Sequence, residues 1–317
     1  MEFHETIKYI RERSNIKQKE IYEGIVSSTT YSRFENGTRE LPIKEIEKLA
    51  ARLGLRISDL IDIQNDNDEA IIYISKKVRL AFYNKLTENE LIKLYEFVKA
   101  GKNTSLIIER YYYYIRNHFS KKCSSIPPLN KQEMKKLYNR ITSLKSLSPS
   151  YLQFILEFLP YFSNHELLRL SELVINHTIN NFSTLNIRYE SQLPDIYFNI
   201  SDLSIDRAVY SSGQTKILLL ENAQLMLDNL LDYQKNKFST DHIILYRFSR
   251  YRYKYYSTTN IKEQEKIKSK IKKFINELTI LNDNSPIPNI YAINCIKSLE
   301  NLLANNLPLN NIQYIIH

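Results

Sequence analysis

Apolar positions recur along this 317-residue chain every three to four residues rather than every two, so the pattern predicts helices throughout. The clearest stripe is Ile267, Ile271, Phe274, Ile275 and Leu278 in an otherwise lysine-rich segment, the signature of an outer helix packed on one side. The stretch KILLLENAQLMLDNLL from Lys216 is apolar nearly all round and is expected between neighbouring helices. Thr87, Asn130 and Asn260 each stand three positions before a glutamate, and Ser148 precedes Pro149, so four helices have recognisable starts. Prolines at 127, 128, 149, 286, 288 and 308 separate the segments. These signals predict antiparallel pairs at 69–84 with 87–100, 104–121 with 130–145, 148–162 with 164–182, 187–211 with 214–235 and 239–257 with 260–281, closed by 287–305 and 308–316. Pairs of that length stack as a helical solenoid. With no tryptophan in the chain, the repeats are degenerate relatives of tetratricopeptide repeats.

The first 63 residues have a shorter rhythm, five brief helices, and the polar residues 64–68 form a linker to a repeat domain at 69–317. The fold class is therefore all-α, a five-helix N-terminal domain followed by degenerate helical repeats. Within the small domain, NIKQKEIYEGI reads as a helix with Gln18 at its start, where a side-chain amide and free backbone N–H groups can meet a phosphate. Gly24 permits a tight turn. Ser27 caps the next helix, which carries Ser28, Thr29, Ser32 and Arg33 outward and Tyr31 and Phe34 inward, and Asn36-Gly37 ends it. A helix entering a major groove needs short hydrogen-bonding side chains near its N-terminus, after a helix that anchors on the backbone. The order of parts meets that need. Thr30 is the hydroxyl with the least defined direction.

Composition narrows the chemistry. Only five glycines occur, three of them within the first 54 residues, and no phosphate-cradling or nucleophile-elbow motif is present. The six histidines have no metal-binding spacing, His165-Glu166 and His177 included, so neither enzyme activity nor a cofactor nor a metal is expected. Cys123 and Cys295 are far apart and read as reduced thiols. A charged N-terminus and the lack of a long apolar run point to a cytoplasmic protein.

Charge divides the chain unequally. Residues 1–62 hold eleven Lys/Arg and eleven Asp/Glu, so the net charge of +9 belongs to the rest. DNA attraction by a neutral head must come from a local face, for which Arg11, Arg13, Lys17, Lys19, Arg33 and Arg39 are the candidates, and from two copies of it. A dimer reading two half-sites about one helical turn apart follows.

From Arg247 to Lys273 ten Lys/Arg face two glutamates, and YRFSRYRYKYY interleaves cations with aromatics. Such a segment can stack single-stranded nucleic acid, grip a peptide, or merely present a solvated helix with tyrosines packed on neighbours. Arg247, Tyr251 and Lys254 share one helical face and are the candidate peptide contacts, joined by Asn176 and Asn180 on the 164–182 helix. The four tyrosines of RYYYYIRNHF point all round a helix and are assigned to packing.

Gln18, the Ser27–Ser32 helix and Arg33-Phe34-Glu35-Asn36-Gly37 together resemble the XRE-type helix-turn-helix family, with a turn one residue shorter than the common form. The resemblance implies that Gln18, Ser28, Thr29, Ser32 and Arg33 face DNA, whereas Glu35 packs or pairs within the domain. Followed by some 250 residues of helical repeats, this head resembles the Rgg/MutR regulators, relatives of the PlcR group. That likeness implies a cytoplasmic homodimer held through the repeats, which binds double-stranded promoter DNA and responds to a short imported peptide pheromone. It carries no residue-level peptide contact beyond residue 63. A repressor controlled by a protein partner and a noncatalytic scaffold remain the alternative readings.

Overall fold

A computed structural model of the chain describes residues 2–65, 69–144, 147–181, 187–236, 239–285 and 289–304. Among them there is no strand, and the chain divides between Pro127 and Pro128 into two compact units.

The first unit opens with α1 (Phe3–Arg13), α2 (Gln18–Tyr22), α3 (Ser28–Glu35), α4 (Ile43–Arg52) and α5 (Ile57–Asn65). Each helix turns one apolar stripe inward. Ile7, Ile21, Tyr31, Phe34, Ile46, Leu49, Ala50 and Leu60 form a common core, which the sequence stripe of α4 anticipates. The helices are short because the chain breaks them: Gly24, Gly37 and Gly54 all take positive φ, at +76°, +69° and +74°, where a Cβ is disfavoured. A second core in the same unit gathers α6 (Glu69–Phe82), α7 (Glu88–Gly101) and α8 (Leu106–Phe119) around Ile74, Leu94, Val98, Ile115 and Phe119. The tyrosine-rich stretch lies on α8, where Tyr112 and Tyr114 are buried. Buried Arg116 donates to the Tyr112 hydroxyl at 3.0 Å and to the Pro127 carbonyl at 3.0 Å.

The second unit comprises α9 (Lys131–Thr142), α10 (Pro149–Phe158) with a following 3-10 turn, α11 (Asn164–Asn181), α12 (Ile187–Val209), α13 (Gly213–Asn236), α14 (Thr240–Ser257), α15 (Ile261–Asp283) and α16 (Ile290–Leu303). The caps are those the sequence marks: Thr87, Asn130 and Asn260 accept from the backbone N–H of Glu90, Glu133 and Glu263. Ser148 stands at the start of α10 but makes no side-chain cap bond, and Pro149 fixes that start instead. The expected segment 308–316 lies outside the described residues.

The segment 104–121, as α8, packs with α6 and α7 within the first unit. One expected pairing gives way to other partners. The helices α10 and α11 pack chiefly on α12 and α13 rather than on each other, and α12 with α13 is the most extensive pair. The expectation that KILLLENAQLMLDNLL is covered on every side holds for Leu219, Ala223, Met226, Leu227 and Leu230, all fully buried, but Ile217, Leu218 and Leu225 are exposed. Its described neighbours, α11, α12 and α14, cover that one face.

Candidate nucleic-acid interface

The site begins at the cap of α3. Ser27 Oγ accepts from the Thr30 backbone N–H at 3.2 Å and donates to Thr30 Oγ1 at 2.9 Å. Thr30 Oγ1 also accepts from Arg39 Nη1 at 3.4 Å, so this hydroxyl belongs to the cap rather than to a free surface. The helix ends where the Thr38 N–H donates to the Arg33 carbonyl at 2.9 Å and that of Gly37 to the Phe34 carbonyl at 2.9 Å, a left-handed closure. The positive φ of Gly37 favours glycine there, and a Cβ would stand 2.8 Å from His4 Nε2, so the imidazole would have to shift to admit it.

Between these ends, Tyr31, Phe34 and Glu35 are buried. Glu35, 3% exposed, is the fixing point of the domain. It accepts from Arg11 Nε at 2.6 Å and Nη2 at 3.1 Å, from Tyr31 Oη at 2.7 Å and from Gln18 Nε2 at 2.5 Å. One carboxylate thus ties α1, α2 and α3 together. Burial pushes the Glu35 carboxyl upward, yet the donors from Arg11, Tyr31 and Gln18 and the charge of Arg11 outweigh it and hold the group below the usual carboxylate range. Burial and the adjacent carboxylate push the Tyr31 hydroxyl the other way, well above the ordinary phenol value.

What remains outward on α3 is Ser28, Thr29 and Arg33, exposed, with Ser32 half-buried beside them. The side chain of none of the four makes a hydrogen bond within the described residues, so their donors and acceptors stay available. Lys17 and Gln18 sit at the start of α2, where the Lys17 N–H is capped by Glu20 at 2.7 Å. The Gln18 amide nitrogen is engaged by Glu35, which leaves its carbonyl oxygen as an acceptor, and the backbone N–H groups of Gln18 and Lys19 remain for a phosphate. The placement of α2 against α4 relies on a residue the sequence did not single out. Arg52 donates to the carbonyls of Glu20 and Glu23 at 3.3 and 3.2 Å, closing the end of α2 next to the turn.

The expected phosphate face loses one member. Arg11 is 9% exposed and forked onto Glu35, so its charge is spent inside the domain. Arg13, Lys17, Lys19, Arg33 and Arg39 are exposed. Sequence could not separate Arg11 from Arg13, since both close α1 and only the packing of α3 picks one of them.

The second candidate set is dispersed. Asn176 is exposed on α11, and the side chain of Asn180 lies outside the described residues. Arg247 pairs with Glu277 at 2.8 Å and covers the Phe274 ring at 4.3 Å, and Tyr251 packs on the same ring at 5.4 Å. These two residues therefore hold α14 against α15. Arg252, one of the ten cations of this segment, is buried between Asp202 and Asp206 of α12. Lys254, with Tyr251 beside it, opens onto a cleft of about 690 Å³ between α14 and α15. Cys123 and Cys295 are both buried and free.

The α2–turn–α3 unit, with one helix clamped from behind and its polar face left open, defines a helix-turn-helix domain. Comparison with known proteins agrees: residues 7–60 match the family described as helix-turn-helix. The cryptic phage CTXphi transcriptional repressor RstR of Vibrio cholerae is 29% identical over 100 residues, which are 31% of this chain and 86% of the repressor. Over the full length the fold is of the Rgg type. The SHP pheromone receptor Rgg2 of Streptococcus dysgalactiae superposes with a TM-score of 0.69 at 13% identity, covering 96% of this chain and 99% of Rgg2. PrgX in its complex with cCF10 gives a TM-score of 0.57 at 16% identity, covering 95% and 98% of the two chains. No helix among the described residues is long and apolar enough to cross a membrane.

Proposed function

We propose that the chain is a homodimeric transcription regulator that reads promoter DNA through α3 and changes its affinity when a short peptide binds the helical repeats. The observation that carries this reading is the division of labour on α3. Tyr31, Phe34 and Glu35 are locked inward, whereas Ser28, Thr29, Ser32 and Arg33 keep their polar groups free on the opposite side. Such a face suits base edges, with Arg33 donating to guanine and the hydroxyls to either base. Lys17, Gln18 and Arg39 flank it as backbone contacts. The likeness in fold to Rgg2, an SHP pheromone receptor, and to PrgX in its complex with cCF10 supports the peptide input.

Dimerisation answers the charge problem. A head with eleven cations against eleven anions, one of those cations buried, gains little from phosphate neutralisation as a single copy. Two heads joined through the repeats reach two half-sites and add their binding energies through a high effective concentration. Peptide binding that favours one arrangement of the pair shifts DNA affinity by its differential affinity for the two arrangements.

A mobility-shift titration on the chain's own promoter tests the reading. Sequence-specific retardation is expected, together with a change in affinity on adding a synthetic copy of any short exported peptide encoded beside the gene. Retardation that is equal on unrelated DNA at every salt concentration would exclude specific reading.

A further inference from the structure

We infer that the cleft between α14 and α15 takes an extended peptide segment carrying carboxylates, with Lys254, Lys262, Lys266 and Lys270 as its counter-charges. The inference rests on the peptide reading above and adds a place and a chemistry to it.

Lys254, Lys262, Lys266 and Lys270 all line one cleft of about 690 Å³, a volume typical of ligand sites. None of them has an ion-pair partner among the described residues, whereas Lys268 on the same helix is paired with Glu265 at 3.0 Å. Like charges gathered in one concavity repel each other and concentrate an anion of the opposite sign. The single acid in the lining, Glu263, is held by the Thr258 hydroxyl at 2.9 Å.

The array is linear rather than convergent. Lys262, Lys266 and Lys270 follow one another at four-residue intervals along α15, roughly 6 Å apart and about 12 Å in all at the helical rise. An extended chain at about 3.3 Å per residue runs past that array with about four residues, its carboxylates alternating toward and away from it. Single-stranded nucleic acid would require successive stacking aromatics. Here the lining offers only Tyr251, whose ring already packs on Phe274, and Phe248 is buried. The aromatic-cationic stretch therefore divides: Tyr251 packs on α15 and Phe248 on α12, and its last lysine joins the lysines of the next helix.

Calorimetric titration of the full chain with hexaglutamate, hexaserine and an uncharged apolar hexapeptide tests this. Hexaglutamate is expected to bind at low salt, at least tenfold tighter than hexaserine, and to weaken steeply as salt rises. The triple substitution K262Q/K266Q/K270Q should lower that affinity about tenfold, whereas K272Q/K273Q, exposed on the same helix outside the cleft, should leave it unchanged. Equal hexaglutamate binding by wild type and the triple variant, or none by wild type, overturns the inference. If the apolar hexapeptide alone binds, and binds both proteins alike, the peptide reading stands and the acid-binding cleft does not. Displacement of hexaglutamate by a 20-base single strand with the same lysine dependence would reassign the cleft to nucleic acid.

Discussion

Arg11 and Glu35, twenty-four residues apart, meet as a two-pronged pair inside the N-terminal domain, Nε to Oε1 at 2.6 Å and Nη2 to Oε2 at 3.1 Å. The pair fixes the back of α3 to α1, and Gln18 and Tyr31 complete the shell of donors around the carboxylate. The reading face of α3 is held by this hidden side. Removing either member leaves the other's buried charge without its ion-pair partner, which costs on the order of 3 kcal/mol. Arg11→Ala should therefore weaken protection of the α1–α3 amides in hydrogen exchange by that amount while amides of α9–α16 keep theirs. Unchanged protection would mean the pair contributes no local stability.

The same carboxylate makes the head acid-sensitive. Its folded value lies below its unfolded one, so its contribution is complete above the unfolded value of about 4.3 and is lost as pH falls through the folded value. Hydrogen-exchange protection of α3, corrected for the intrinsic rate, should fall as the pH drops below the unfolded value of about 4.3. Glu35→Gln should remove that component of the pH dependence and lower stability at neutral pH, because it abolishes the charged pair. A variant with the same acid profile as wild type would assign the transition to other carboxylates.

Arg33 should behave differently from its buried neighbour. Arg33→Ala is expected to leave the fold intact and to cost about 1–3 kcal/mol on the specific site, with relaxed preference at the base it contacts. Binding to unrelated DNA should change much less. Equal losses on both would make Arg33 a phosphate contact.

Gly37→Ala combines two penalties, a positive φ of +69° and a clash with His4. A loss of about 1–2 kcal/mol in the local stability of α3 is expected. His4→Ala in the same chain should restore part of it by vacating the space, and the backbone part should persist. Full restoration would show that φ carries no cost there.

Arg252 lies 1% exposed between Asp202 and Asp206, and burial raises the Asp202 carboxyl to about 6 against the pull of the guanidinium. Arg252→Met strands two carboxylates in the α12–α14 seam and should cost roughly 3–5 kcal/mol in the second unit. Adding Asp202→Asn and Asp206→Asn should recover most of that in thermal unfolding. No recovery would place the cost in lost packing of the long side chain.

Much of this was legible in one dimension. Periodicity, the cap residues Thr87, Asn130 and Asn260 and the glycines at 24, 37 and 54 mark where helices begin and end, since these depend on bonds within a few residues. The hydroxyl-rich α3 with its Ser27 cap and Gly37 stop was readable for the same reason. Even Glu35 was recognisable as internal, though not its partners.

Tertiary structure decided what identical residue types do. Arg11 and Arg33, or Arg252 and Lys254, are equivalent as entries in a charge count, yet one of each pair is buried against carboxylates and the other is free. It also decided that α8 belongs with α6 and α7, and that Arg247 and Tyr251 bind α14 to α15 while Lys254 opens onto a cleft. The physical reason is range. Helix propensity, capping and turns are set by neighbours in sequence, whereas the burial of a charge depends on which surface, many residues away, closes over it.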